Sequence, residues 1–184
     1  MADLAGAKIA YLGFSGLIDS GGVAKIAGAL NTCVNEQFDR VYLCFNSLGG
    51  YVGDGIYLYN HIRALPVPLT IHNTGTVASI GVTVFVAAET RKCSGNSVFM
   101  IHPVQVPSGS AMATAPLQAA LDAALKDEER TEAILRERAG IADEILAKRR
   151  TTDVYLTADD ALKHGLVNDV AEFALPAGNK IFHL

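Results

Sequence analysis

Three side chains capable of acyl transfer stand far apart in the chain: a serine at 79, a histidine at 102 and an aspartate at 153. Ser79 lies at the mouth of the apolar run Val77 to Ala88, with Gly75 before it and Gly81 after it. Small residues on both sides let the chain turn sharply from strand to helix and let a substrate backbone approach. A helix N-terminus also favours the negative charge that develops during acyl transfer. Serine is equally a preferred N-cap, so capping a buried helix is the competing reading.

His102 closes the apolar segment Ser97 to Ile101. That is a suitable place for a general base, because imidazole is the side chain that changes charge near neutral pH. A purely structural histidine at a strand end fits as well. His61 and His164 fall on expected helices, His72 ends an expected strand and His183 is in the tail; no two have metal-ligand spacing such as His-Glu-x-x-His. No metal site and no cofactor are expected. Asp153 enters the segment Val154-Tyr155-Leu156, where its carboxylate could accept from an imidazole and fix its tautomer. Taken singly, such a residue serves equally as a cap or a surface group.

A loop rich in glycine, Asn46-Ser47-Leu48-Gly49-Gly50-Tyr51-Val52-Gly53-Asp54-Gly55, follows an expected strand and precedes an expected helix. Adjacent glycines there can turn backbone N–H groups into a cleft, as an oxyanion hole requires. A phosphate loop is the weaker reading: no Gly-Lys-Ser/Thr follows, and Gly53-x-Gly55 lacks the third glycine of a dinucleotide fingerprint. A plain tight turn remains open.

The elements that must position these groups follow from periodicity. Lys8–Phe14 and Arg40–Phe45 read as strands, and Gly22–Glu36 between them carries Val23, Ile26, Ala27, Leu30 and Val34 at helical spacing. Gly53–Ala64 reads as a helix, Val67–His72 as a strand, Val77–Ala88 as a helix apolar on nearly all sides, and Ser97–Ile101 as a strand. Alternation of this kind favours a mostly parallel sheet flanked by helices. Beyond His102 the composition shifts. Pro103–Thr114 is rich in Pro, Ser, Gly and Ala, and Pro116–Arg138 forms a long amphipathic helix with Leu117, Leu121, Leu125 and Leu135 on one side. So little large apolar surface buries poorly against its own domain, so the helix projects as a solvated arm or packs on a second copy. After Gly140 a shorter helix runs to Arg150, and a capping box, Thr157-x-x-Asp160, opens another that Gly165 ends. Leu166 to Val170 returns to the sheet.

The 184 residues suit one domain, 1–184, and half of them are hydrophobic, enough for a substantial core. A net charge of −4, with no basic cluster larger than Lys148-Arg149-Arg150, leaves no footprint for nucleic acid or an acidic membrane. The N-terminus has no basic, apolar leader pattern and no apolar run is long enough to span a bilayer, so a cytoplasmic address is expected. Cys33, Cys44 and Cys93 are odd in number and sit among hydrophobic residues, as small buried thiols do.

Together these residues resemble the Clp protease proteolytic subunit (ClpP) family, serine peptidases with a crotonase-like α/β fold that assemble into stacked rings. Phe45-Asn46-Ser47-Leu48-Gly49-Gly50 looks like the family's Asn-Ser-Pro-Gly-Gly loop, with Leu48 in place of its proline. Ala78-Ser79-Ile80-Gly81 looks like its Ala-Ser-Met-Gly elbow, Met100-Ile101-His102 like its Met-Ile-His, and Asp153 through Val167 like its closing segment. His102-Pro103-Val104-Gln105-Val106 departs from the family's His-Gln-Pro and glycine pair. The resemblance implies Ser79 as nucleophile, His102 as base, Asp153 as orienter, and the backbone N–H groups of Gly50 and Ile80 as oxyanion hole. It implies a head at about 1–102 and 151–184 with a handle at about 103–150. Gly49, Tyr51 and Val52 on one side and Val104 and Val106 on the other would hold an extended peptide as an added strand. The partners implied are polypeptide substrates and further copies, in a heptameric ring or a stacked tetradecamer. Seven residues before the first strand suggest weak or absent dependence on a Clp-type ATPase. Two other readings stay open: a crotonase-type acyl-CoA enzyme, which would need no serine nucleophile, and a catalytically silent ring subunit.

Overall fold

In the computed structural model, which describes residues 6–106 and 113–184, β1 (Ile9–Ser15) pairs in parallel with β2 (Arg40–Ser47), setting Leu12 opposite Leu43 and Phe14 opposite Phe45. Between them crosses α1 (Ser20–Asn35), opened by Asp19, whose carboxylate accepts from the Gly22 N–H at 2.8 Å. Its apolar stripe of Val23, Ile26, Ala27 and Leu30 is buried against the sheet, as the spacing predicts. α2 (Val52–Arg63) then leads to β3 (Leu69–Ala78), parallel to β2.

At β3 the structure departs from expectation. The expected strand ended at His72 and the next helix began at Val77, but β3 continues to Ala78. Along one edge its first half pairs with β4 (Thr90–Cys93) and its second half with β5 (Val98–Ile101), so the sheet divides near Thr74 and Gly75. Two asparagines hold the division open. Asn73, wholly buried, accepts from the Gly75 N–H and donates to the Val98 carbonyl, each at 3.0 Å, while Asn46 accepts from the Thr76 N–H at 2.9 Å. These side chains satisfy backbone groups that the interrupted ladder leaves unpaired, so a run that reads as a turn stays extended. The helix that follows shortens accordingly to α3 (Ile80–Phe85), buried at every residue.

α4 (Thr114–Ala139) ends at Gly140, whose φ of +66° makes a left-handed cap. Its two halves differ: Leu117, Leu121 and Leu125 are exposed, whereas Thr131, Glu132, Leu135 and Ala139 are buried. The expected handle is therefore anchored at its C-terminal end; its stretch at 107–112 lies outside the described residues, as does the N-terminal stretch at 1–5. α5 (Asp143–Arg149) leads to β6 (Val154–Thr157), antiparallel to β5. The expected capping box is present at α6 (Ala158–Lys163), with Thr157 accepting from the Asp160 N–H and Asp160 accepting from the Thr157 N–H. β7 (Asp169–Val170) adds to β4, and β8 (Ile181–His183) to the free edge of β1, giving the order β6-β5-β3-β2-β1-β8 with β4 and β7 branching from β3. The fold is thus the expected α/β sheet, parallel except at β5–β6. The three cysteines are buried and unpaired, and burial pushes the Cys44 thiol up to about 11. Among the described residues no helix is long and apolar enough to cross a membrane.

Candidate active site

Ser79 is the single residue between β3 and α3, and its backbone takes φ 57° and ψ −132°. A side-chain-bearing residue rarely occupies this region, at a cost of order 1–3 kcal/mol, and does so only where the surroundings hold it there. Two contacts do so here. The Ser79 N–H donates to the Met100 carbonyl at 2.7 Å, tying the turn to β5. From the other side Gly49 comes so close that a Cβ on it would lie 2.5 Å from the Ser79 Cβ. Gly49 itself has φ +100°, so its lack of a side chain is required twice over.

The strained turn aims the hydroxyl away from the helix. Ser79 makes no capping bond to α3. Its Oγ lies 2.8 Å from Nε2 of His102, the residue immediately after β5. The capping reading of Ser79 therefore has no bond to support it, and the nucleophile–base reading has one.

The loop after β2 is shaped by Ser47 and Ile18. Ser47, 1% exposed, accepts from the Gly49 N–H through its Oγ at 3.1 Å. Ile18 straps the loop on its outer side: its N–H donates to the Gly49 carbonyl and its carbonyl accepts from the Tyr51 N–H, both at 2.8 Å. A Cβ on Gly50 would collide with that Ile18 carbonyl. Among the described residues the Gly50 N–H has no acceptor, and the N–H of Ile80, the first residue of α3, is one of the donors a helix start leaves free. Ser47 was legible within the Asn-Ser-Leu-Gly-Gly run, whereas Ile18 reaches the loop by a tertiary contact without a local signal.

The remaining site residues are placed less uniformly. Tyr51 is exposed, and Val52 and Val104 line one small cleft, open to solvent, with Ser79 and His102. The Val104 N–H is already engaged, donating to Glu128 at 3.0 Å, and Val106 is exposed. Asp153 lies exposed in the connection from α5 to β6, with no bond to the imidazole; Nδ1 of His102 is buried and has no partner among the described residues. The structure thus brings Ser79, His102, Gly49, Gly50 and Ile80 together and leaves Asp153 apart.

Against the His102 backbone sits an ion cluster in which Arg149 and Glu132 are buried and Arg150 is exposed. Arg149, 6% exposed, donates through Nε to the His102 carbonyl at 3.1 Å and through Nη2 to the Thr131 hydroxyl at 3.0 Å. Glu132, 2% exposed, takes two bonds from Arg150, at 2.9 and 2.6 Å. Hydrogen bonding from Arg150 holds the Glu132 carboxyl below the usual carboxylate range against the opposing effect of its burial, and desolvation lowers the Arg149 guanidinium.

This fold, an α/β sheet with its candidate site at a strained turn from strand to helix, is that of the ClpP peptidases. The structure of a ClpP1 point mutant from Listeria monocytogenes matches it with a TM-score of 0.77, covering 90% of this chain and 92% of that one at 24% identity. The family is set by sequence: the Clp protease model matches residues 14–174, and the chain belongs to that family. It is 26% identical over 166 residues to the ATP-dependent Clp protease proteolytic subunit 2 of Pseudomonas aeruginosa, covering 89% of this chain and 81% of that protein. It is 32% identical over 139 residues to proteolytic subunit 3 of Rhizobium etli, covering 74% and 69%. At these identities it is a divergent member.

Proposed function

We propose that this protein is a serine endopeptidase acting on extended peptides. The observation that carries the proposal is the 2.8 Å contact between Ser79 Oγ and His102 Nε2 at a turn whose backbone is strained to present that hydroxyl. In the first step His102 takes the Ser79 proton as Oγ attacks the peptide carbonyl. The N–H groups of Gly50 and Ile80 receive the developing oxyanion, and the imidazolium then protonates the leaving amine. Water, deprotonated by the same imidazole, hydrolyses the acyl-enzyme and returns the proton to Ser79. Asp153 is the proposed partner of Nδ1, a pairing that would require the segment between α5 and β6 to move onto the imidazole.

The substrate would lie between the Gly49–Val52 loop and Val104–Val106, added as a strand. Since the Val104 N–H is held by Glu128, the Val104 carbonyl and Val106 would carry the pairing on that side. The exposed stripe of Leu117, Leu121 and Leu125 on α4 suits burial against further copies, and family membership supports assembly into a ring. Short peptides need no unfolding, so their hydrolysis is expected without ATP.

One observation favours a second reading, a silent ring subunit: Asp153 stands exposed while Nδ1 is unpartnered. Labelling the purified protein with a fluorophosphonate decides between them. Modification confined to Ser79, and lost in both Ser79→Ala and His102→Ala, is the expected result. An unlabelled wild-type assembly would leave a scaffold or an acyl-CoA enzyme as the better reading.

A further inference from the structure

The segment that follows His102 belongs to no sheet. β5 ends at Ile101, and from His102 to Val106 the backbone makes two hydrogen bonds among the described residues: the His102 carbonyl accepts from Arg149 Nε at 3.1 Å, and the Val104 N–H donates to Glu128 Oε1 at 3.0 Å. Pro103 between them has no N–H to offer and favours an extended backbone at His102. Both bonds therefore come from helix side chains, Arg149 on α5 and Glu128 on α4. The helix repeat places Glu128 for this. It shares one face of α4 with Thr131 and Leu135, and those two residues line the cleft that holds Ser79 and His102.

The Gly49–Val52 loop reaches the same cleft through Val52 and is held in a corresponding way. Ile18 engages the Gly49 carbonyl and the Tyr51 N–H, and the Gly50 N–H stays without an acceptor among the described residues. On the His102 side Glu128 makes the corresponding bond. The Val104 carbonyl and the N–H groups of Gln105 and Val106 are left without partners among the described residues. Two anchored stretches of backbone with unpaired polar groups are what an extended peptide needs in order to add between them. A segment without its anchor would have to be ordered at the moment of binding, which costs affinity.

We propose that Glu128 is a positioning residue for peptide binding: from α4 it fixes the backbone after His102, so that this segment receives an extended peptide across from the Gly49–Val52 loop. This rests on Ser79 being the nucleophile of a peptidase whose substrate binds as an added strand. Glu128 touches neither the substrate nor the reacting atoms. It acts through the Val104 N–H, so its loss is felt in affinity and leaves the reactivity of Ser79 intact.

The test separates affinity from reactivity. The rate at which a fluorophosphonate labels Ser79 reports the Ser79–His102 pair, and the slowing of that rate by N-acetyl-Leu-Ala-Leu-Ala-Leu amide, an extended apolar peptide, reports binding in the cleft. In Glu128→Ala the inhibition constant of the peptide is expected to rise about tenfold. Its labelling rate without peptide should stay within about twofold of wild type, because that small probe pairs with no strand. Glu128→Gln, whose amide oxygen can accept the same bond, is expected to bring the peptide's inhibition constant to within about threefold of wild type. An inhibition constant unchanged or lowered in Glu128→Ala, a labelling rate that falls together with the affinity, a Glu128→Gln variant as weak as Glu128→Ala, or a labelled wild type that the peptide does not protect would overturn the proposal. Should Glu128→Ala not fold, as judged by circular dichroism, Glu128→Met replaces it on the same criteria, since it keeps the stem and the helix preference without an acceptor. Failure of the peptidase reading itself is seen separately, as absence of fluorophosphonate labelling in the wild type.

Discussion

Nδ1 of His102 is buried without a partner, while Asp153, the carboxylate proposed to serve it, stands exposed four residues beyond the arginine that holds the His102 carbonyl. The base is thus positioned through its backbone, by Arg149, and through Nε2, by Ser79. A neutral imidazole so held can take a proton, but the imidazolium that results has no counter-charge until a carboxylate arrives. Asp153→Asn keeps the shape and removes that charge. It is expected to lower kcat/KM for a fluorogenic peptide by roughly 10²- to 10⁴-fold. Its thermal stability should stay within about 0.5 kcal/mol of wild type, as befits an exposed substitution. Activity within about threefold of wild type would assign the orienting role to another acceptor.

Gly49→Ala tests the packing of loop against turn. The new methyl would stand 2.5 Å from the Ser79 Cβ and 3.0 Å from the Ala78 carbonyl oxygen, at a backbone φ of +100°. Loss of about 1–3 kcal/mol in denaturant unfolding is expected, together with a fall of about 10²-fold in activity from displacement of the nucleophile. Gly53→Ala is the control. It lies in α2 with nothing within 4 Å of an added Cβ, so it should be neutral or stabilise by up to about 1 kcal/mol.

The alternation of strand and helix, the capping box and the loop and elbow glycines were legible because each rests on local chemistry. What escaped depends on residues distant in sequence. β3 passes through Thr74-Gly75-Thr76 because Asn46 and Asn73, from two strands, supply the missing bonds. β4 was invisible since Arg91 breaks its apolar pattern, yet that arginine is buried and donates to the carbonyls of Ala88, Gly165 and Leu166. Of the site, the Ser–His pair could be picked out by residue type and order. The cluster behind it could not: Lys148-Arg149-Arg150 reads as a solvated basic run, and only the packing of α5 on α4 turns Arg149 inward onto the carbonyl of His102.

Glu132 joins α4 to the segment carrying Arg149 and Arg150, so its ionisation should be felt in stability. Its folded pKa is depressed, chiefly by the Arg150 bonds. The stabilisation is therefore complete above the ordinary glutamate value of about 4.3 and is lost as pH falls through the lower, folded value. Glu132→Gln removes the charge at every pH. The variant should be less stable than wild type by about 2 kcal/mol at pH 7, and the gap in Tm should stay constant down to about pH 5 and narrow below about pH 4. A gap that does not depend on pH would show that the ion pair contributes only as neutral packing.

A second histidine, remote in role from the first, controls stability through its charge. His72 is wholly buried in β3, with Nδ1 2.5 Å from the Tyr42 hydroxyl and Nε2 3.2 Å from the Ser94 hydroxyl. Burial lowers its pKa, with Lys92 adding to the effect, and burial raises that of Tyr42 to about 12. In the unfolded chain a histidine takes up a proton near pH 6.5; in the fold it does so only at lower pH. Stability from the neutral imidazole is thus present above about pH 6.5 and is lost as pH falls through the depressed folded value, with a slope of up to about 1.4 kcal/mol per pH unit. At the alkaline end the raised Tyr42 value means loss as pH rises from its ordinary value of about 10 towards about 12. His72→Asn should cost about 1–3 kcal/mol at pH 7, because it breaks two bonds of a buried imidazole with half-buried hydroxyls. Between pH 7 and pH 5, however, its Tm should fall less steeply than that of the wild type. Parallel Tm curves over that interval would mean that His72 titrates normally in the fold, and that its burial exerts no control over its charge.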